Sequence, residues 1–233
     1  MIVETYVIAW NRSDTIHLTI NHYKKLGRVI LYDNFSEDNT REIAQECGAE
    51  IQLFGNRGVL SDQHYLDVKN HAWKGSKADW VIVVDDDEIL QHADIESVLK
   101  DTNASIIRPQ GFSMYSESMP VNLWLDINTG LTDNKYSKLC CFKPSKITDI
   151  NYVYGCHEAN PKGDILIEDI MVLLHYHGIG GAERMIKRHQ LYEPRRQKSP
   201  VNMRWNLGAE YGFSPESKRK WFKEQVAKSE ILF

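Results

Sequence analysis

The sequence predicts an α/β fold in which helices flank a mostly parallel central sheet and further helices follow at the C-terminal end. Strand-like and helical segments alternate four times within about ninety residues, a pattern typical of parallel sheets. The fourth strand-like segment, WVIVV (80–84), is an unbroken apolar run of the kind that is buried on both faces. The segments also end at glycines, which commonly terminate helices.

The elements of the first half can be justified in order. Ile16, Ile20 and Tyr23 recur at helical spacing before Gly27, so a helix follows the first strand. The next helix begins near Ser36 or Asp38, which are good capping residues. The predicted strands are residues 2–10, 28–33, 49–54 and 80–84, and the predicted helices are residues 13–27, 36–48 and 61–75.

The second half is less regular. Residues 164–177 (DILIEDIMVLLHYH) read as one long strand or two shorter ones, and helices are predicted over 181–193, 201–211 and 215–228. We expect a catalytic domain over 1–193 and a helical extension over 194–233 that packs on it. The segment PRRQKSPVN (194–202) is the candidate linker.

Composition limits the class of protein. The chain has 233 residues, 28 of them basic and 32 acidic, and a net charge of −4, which does not favour a nucleic-acid partner. Four cysteines without C-x-x-C spacing predict a reduced, cytoplasmic protein. The start MIVETYVIAW lacks a basic segment and a cleavage site, so no secretory signal is expected.

Polar clusters follow three of the predicted strands, at the sheet edge where ligands bind in open parallel sheets. They are Asn11 with Arg12, Asp33 with Asn34, and the four acids 85–88 (DDDE). Clustered carboxylates repel one another, and Mg²⁺ or Mn²⁺ with a substrate phosphate would relieve this. In an extended segment Asp85 and Asp87 would face one cation. Alternatively, an acid-rich strand end simply caps the next helix.

These residues resemble glycosyltransferases of the GT-A fold, in the style of family 2, over residues 1–92. The resemblance implies that Asp85 and Asp87 are the D-x-D pair that binds a metal and a nucleotide-sugar. Glu88 follows as in the signature and is expected to brace the turn, whereas Ile89 stands where an aromatic residue is usual. The implied nucleotide-sugar site comprises Ala9, Asn11, Arg12, Asp33, Asn34, Asp38 and Asp86, the last on the ribose side.

Late residues complete the implied site. His175 and His177 precede a glycine-rich segment and resemble the late histidine that ligates the metal in GT-A enzymes, although both are otherwise ordinary strand residues. Arg184 lies in the first turns of the next helix, where it would reach a phosphate. A helix that starts after glycines also favours an anion.

The implied activity is metal-dependent, inverting transfer of a sugar from a nucleotide donor, with a UDP-sugar favoured, to a glycan or lipid-linked acceptor. Inversion needs a carboxylate base, for which Glu158 and Asp126 are the candidates. The alternatives are a sugar nucleotidyltransferase and a non-catalytic sugar-nucleotide or glycan binder. The basic helix 215–228 either rests peripherally on a membrane or docks on the domain.

Overall fold

The structure, a computed structural model, describes residues 1–122 and 124–232. The strands are β1 (Val3–Ala9), β2 (Arg28–Asp33), β3 (Glu50–Leu53), β4 (Trp80–Asp85), β5 (Glu88–Gln91), β6 (Ile106–Ile107), β7 (Gln110–Ser116), β8 (Thr129–Thr132), β9 (Cys141–Phe142), β10 (Ile147–Asp149), β11 (Lys162–Gly163), β12 (Ile167–Glu168), β13 (Val172–Ile179) and β14 (Glu230–Ile231). The helices are α1 (Ile16–Lys24), α2 (Thr40–Glu46), α3 (Asp62–His71), α4 (Ile95–Asp101), α5 (Gly181–Arg196), α6 (Pro200–Trp205) and α7 (Pro215–Lys228).

The central sheet has the order β12-β6-β9-β4-β1-β2-β3. Strands β4, β1, β2 and β3 run parallel, as the alternating pattern predicts. Ala9 pairs with Asp33, and Ile8 pairs with Asp85, so the carboxyl ends of three strands lie at one edge. Since Val7 and Val84 are fully buried between the helix layers, the predicted α/β class with a flanked, mostly parallel sheet is confirmed.

A second sheet, in the order β14-β8-β7-β13-β5, joins the first where the chain leaves β4. The predicted strand over 164–177 is two strands, β12 and β13. β13 is antiparallel to β5 and parallel to β7. The N–H of Tyr176 donates to the carbonyl of Asp87 at 2.8 Å, so β13 reaches the acidic segment directly.

The segment predicted as a linker, residues 194–202, begins within a helix. α5 continues through Pro194, and Arg195, Arg196 and Ser199 are buried, so the expected boundary after residue 193 falls within a helix. The predicted helix over 201–211 is interrupted after α6, because Asn206 and Gly208 adopt left-handed conformations (φ +52° and +68°).

The last helix packs on the domain. Phe222 of α7 is fully buried, while Trp221 is 39 % exposed. After α7, β14 pairs with β8 of the second sheet. Within residues 1–122 and 124–232, helices long and apolar enough to cross a membrane are absent.

Candidate active site

The acidic segment forms a turn rather than an extended strand. Asp85 is the last residue of β4, residues 86–87 are a turn, and Glu88 begins β5. The Asp86 N–H donates to the carbonyl of Ile8 at 3.1 Å, and the Thr19 hydroxyl donates to the Asp86 carbonyl at 2.5 Å. Asp85 and Asp87 are therefore separated by a turn and are not alternate residues of one extended strand.

Basic side chains of the chain itself face these four acids. Arg12 lies 2.5 Å from a carboxylate oxygen of Asp86 and 2.9 Å from one of Asp87. Arg188 of α5 approaches the same Asp87 oxygen at 3.4 Å. Lys69 of α3 lies 2.7 Å from Asp85.

Lys138 completes the set of basic partners. It forms a buried ion pair with Glu88, whose other carboxylate oxygen accepts a hydrogen bond from the Asp85 N–H at 3.0 Å. Glu88 thus braces the turn.

Burial and the neighbouring basic side chains shift the pKa values of these acids in different directions. Desolvation raises the pKa of Asp86 to about 7, because its pairing with Arg12 offsets burial only in part. Desolvation acts on Asp87 as well, but Arg12, His175 and Arg188 hold its pKa well below the usual range. Burial is likewise outweighed at Glu88, where Lys138 and Lys69 lower the pKa to about 2. Asp87 and Glu88 are therefore held in their ionised form, whereas burial opposes ionisation of Asp86.

The two predicted histidines lie beside Asp87. His175 Nε2 is 3.4 Å from an Asp87 oxygen, and the Nδ1 atoms of His175 and His177 are 2.9 Å apart. The Tyr136 ring stacks on His175 with a centroid distance of 3.8 Å. Burial, followed by the neighbouring His175, lowers the pKa of His177 well below 6.5.

This arrangement brings together part of the predicted metal set. Asp87 and His175 offer one carboxylate and one imidazole at adjacent positions, a donor set that suits Mn²⁺, with phosphate oxygens supplying further ligands. Asp85 is engaged by Lys69 instead. Across the described ranges 1–122 and 124–232, no three His, Cys, Asp or Glu side chains are grouped as metal ligands.

The predicted nucleotide residues at β1 and β2 are tied to one another. The Ala9 carbonyl accepts the N–H of Asn34 at 3.0 Å. The Asn11 side-chain oxygen accepts the Glu37 N–H at 2.7 Å, and Asp38 accepts the Ser13 N–H at 3.1 Å. These bonds join the loops after the two strands.

Asp33 is fully buried at this edge. One of its oxygens accepts the Ser36 N–H at 2.8 Å, whereas the other has no hydrogen-bond partner among residues 1–122 and 124–232. Burial raises the pKa of Asp33 accordingly. A buried oxygen without a partner is costly and fits a site that is completed by a ligand.

The remaining three candidates are either paired with other residues or exposed. Arg184 pairs with Asp14 at 2.8 Å rather than with the acidic turn. The exposed Asp126 accepts hydrogen bonds from the N–H groups of residues 121 and 122. Glu158 is also exposed, and the neighbouring His157 packs edge-on against Tyr136 with a centroid distance of 5.2 Å.

Sequence reasoning missed a set of residues on α5 and the strand end that it faces. Arg195 stacks over the Trp10 ring at 3.5 Å, and Tyr192 lies against the same ring with centroids 5.4 Å apart. Arg195 also donates a hydrogen bond to the Asn34 side-chain oxygen. The signal was present in the sequence, since residues 188, 192 and 195 share one helical face.

Comparisons with known proteins bear on this site. Residues 5–122 match the family model described as glycosyl transferase family 2. No curated protein matches the chain.

Solved structures were also matched. Glucosyl-3-phosphoglycerate synthase from Mycobacterium tuberculosis, in complex with Mn²⁺, UDP-glucose and phosphoglyceric acid, is 17 % identical with a TM-score of 0.34. The match covers 47 % of this chain and 43 % of that one, so the chain spans under half of its length. TarS from S. aureus is 11 % identical with a TM-score of 0.48, over 97 % of this chain and 71 % of the other.

Proposed function

The chain belongs to glycosyl transferase family 2, and from this premise we propose that it is a glycosyltransferase that uses a UDP-sugar as its donor. It would move the sugar to a hydroxyl of a glycan or lipid-linked acceptor, with inversion. The observation that carries the proposal is the turn at Asp86 and Asp87. It lies at the carboxyl ends of parallel strands and is faced by Arg12 and Arg188. An acidic turn lined by guanidinium groups suits a diphosphate that arrives with a divalent cation.

The donor would lie across the strand ends. Asp33 and Asn34 would meet the nucleoside, with Ala9, Asn11 and Asp38 shaping the loops beside it. Asp86 would face the ribose. Arg12 and Arg188, with Arg184 farther out, would contact the diphosphate, because guanidinium groups bind phosphate oxygens in pairs.

Asp87 and His175 would hold Mn²⁺ or Mg²⁺, with Asp85 and His177 beside them. When bound, the cation supplies Lewis-acid stabilisation of the departing diphosphate. Arg12 and Arg188 would add fixed positive charge in a buried site, where electrostatic stabilisation is strong.

The base that takes the proton of the acceptor hydroxyl is proposed to be Glu158, with Asp126 as the second candidate. Glu158 is exposed and lies next to His157, whose ring reaches the Tyr136–His175 stack beside Asp87. An accessible carboxylate at this position would meet an incoming acceptor without displacing the buried acids.

The test is nucleoside diphosphate release. The protein is incubated with a panel of UDP-, GDP-, CDP- and dTDP-sugars, Mn²⁺ and candidate glycan acceptors, with and without chelator. We expect release that depends on Mn²⁺ and falls by at least about a hundredfold in Asp87→Ala, since it loses a ligand and an ion-pair partner.

The controls separate the alternatives. Asp164→Ala removes an exposed acid outside the site and should leave release unchanged. Release of pyrophosphate instead would identify a nucleotidyltransferase, and binding without any release would identify a binder. Unchanged nucleotide binding in Asp87→Ala would refute the site assignment.

A further inference from the structure

α5 lies across the strand ends where the proposed donor would bind. Arg188 approaches Asp87 after β4, Tyr192 packs on Trp10 after β1, and Arg195 bonds to Asn34 after β2. The order of these contacts along the helix matches the strand order β4-β1-β2 in the sheet. One helical face thus follows the edge of the sheet.

These contacts close the crevice to a ligand. Asp33 and Asn34 are 0 % exposed, and Asp87 is 5 % exposed. Trp10 and Arg195 are each 5 % exposed as well. A nucleotide-sugar therefore cannot reach Trp10 and Asn34 while Arg195 remains in contact with them.

The contact made by Arg195 has the character of an internal ligand. Its planar guanidinium stacks on the Trp10 ring and donates to the amide oxygen of Asn34, as a planar nucleobase with an N–H group would. Its Nε and Nη1 atoms are buried and have no hydrogen-bond partner in the part of the chain that the structure describes. Unpartnered buried donors weaken the closed arrangement, so the contact is poised for exchange.

Residues at both ends of the α5–α6 segment adopt left-handed backbone conformations. Gly180 and Gly181 precede the body of α5 with φ of +76° and +80°. Asn206 and Gly208 follow α6 with φ of +52° and +68°. Hinge motions concentrate at such element ends, where a few residues absorb the backbone change.

We propose that the C-terminal end of α5 (residues 192–196) is an intramolecular plug of the donor crevice, with the Arg195 guanidinium on Trp10 and Asn34 as its main contact, and that donor binding displaces this end while Arg188 stays at the diphosphate. This inference rests on the proposed function, because it concerns access to that same site. A competing internal group lowers the apparent affinity for nucleotide, and its removal raises that affinity.

The first test compares UDP affinity, measured by calorimetry with Mn²⁺ present, in the wild type and in Arg195→Ala. We expect binding to tighten about tenfold, equivalent to about 1.4 kcal/mol. Arg195→Met keeps an aliphatic stem over Trp10 and should tighten binding less. Arg196→Ala is the matched control, since Arg196 is a buried arginine of the same helix that pairs with Glu193.

The outcomes are distinct. Weaker UDP binding in Arg195→Ala would show that Arg195 is a donor ligand and would overturn the plug while leaving the proposed function intact. Equal tightening in Arg196→Ala would overturn the assignment to Arg195. If none of the nucleotides in the panel binds any of these proteins, both the proposed function and the plug are refuted.

A second test measures amide hydrogen exchange of residues 192–196 in the wild type at saturating UDP and Mn²⁺. A displaced plug predicts faster exchange along this stretch than in the unliganded protein. Slower exchange would show that α5 closes on the nucleotide, and the proposal would be refuted.

Discussion

The buried ion pair between Glu88 and Lys138 offers a sharp test of how the acidic turn is held. The two side chains are 1 % and 5 % exposed, and Glu88 also accepts the Asp85 N–H. The perturbations are Glu88→Gln, Lys138→Met and the double variant. Gln keeps the shape of Glu88 and the oxygen that accepts the Asp85 N–H. The double-mutant cycle formed by these variants therefore measures the charge–charge interaction alone.

The magnitudes follow from burial. Breaking a buried pair from one side costs about 3–5 kcal/mol, because the remaining charge is left unpaired. We expect each single variant to lower the free energy of unfolding by about 3 kcal/mol, the low end of this range. In Glu88→Gln, for example, Lys138 still has the Asp85 carboxylate 3.7 Å away. The double variant leaves neither charge and should also cost about 3 kcal/mol, a coupling of about 3 kcal/mol.

The assay is urea unfolding followed by tryptophan fluorescence, with thermal melting as a second measure. Each single variant should melt about 6–12 °C lower than the wild type. The control is Asp164→Asn in the exposed pair with Lys146, which should leave the unfolding midpoint unchanged. Additive costs in the double variant, within about 0.5 kcal/mol, would refute the pairing.

Three further predictions concern other parts of the chain. Tyr23→Phe should cost about 1–3 kcal/mol in urea unfolding, because a buried N–H of β5 loses the hydroxyl that accepts it at 2.9 Å, and a loss near zero would contradict this. Burial lowers the pKa of His189 from 6.5 to about 3, so stability is full above pH 6.5 and is lost as the pH falls. His189→Gln should reduce the loss of unfolding free energy between pH 7 and pH 5 by about 2 kcal/mol, whereas replacement of the exposed His71 by Gln should not reduce it. Gly111→Ala should cost about 3 kcal/mol in the same assay, since a Cβ would stand 2.3 Å from a backbone carbon, and wild-type stability would refute this.

The first half of the fold could be predicted from the sequence because strands and helices alternate regularly there and polar residues follow the strands. Three of the predicted strands are followed by polar residues, and in a parallel sheet this places Asn11, Asp33 and Asp85 at one edge. No long-range contact has to be known for this prediction. Periodicity alone carries that information.

The charge partners of the acids required tertiary information. Lys69 and Arg188 reach the turn from α3 and from a helix about a hundred residues later, and a strand–helix pattern does not say where α5 returns. The turn at 86–87 was missed because an acidic run looks the same whether it is extended or bent. Its geometry is set by Ile8, Thr19 and Tyr176, which belong to three other elements.

The pairing of the acidic turn with basic side chains has a consequence for how ligands enter. The formal charges of the acids 85–88 are balanced by those of Arg12, Lys69, Lys138 and Arg188. The diphosphate of a nucleotide-sugar carries two negative charges and would alone leave this enclosure with excess negative charge, and a divalent cation alone would leave it with excess positive charge. Together they add no net charge, so each should raise the affinity for the other, and linkage requires the two effects to be equal.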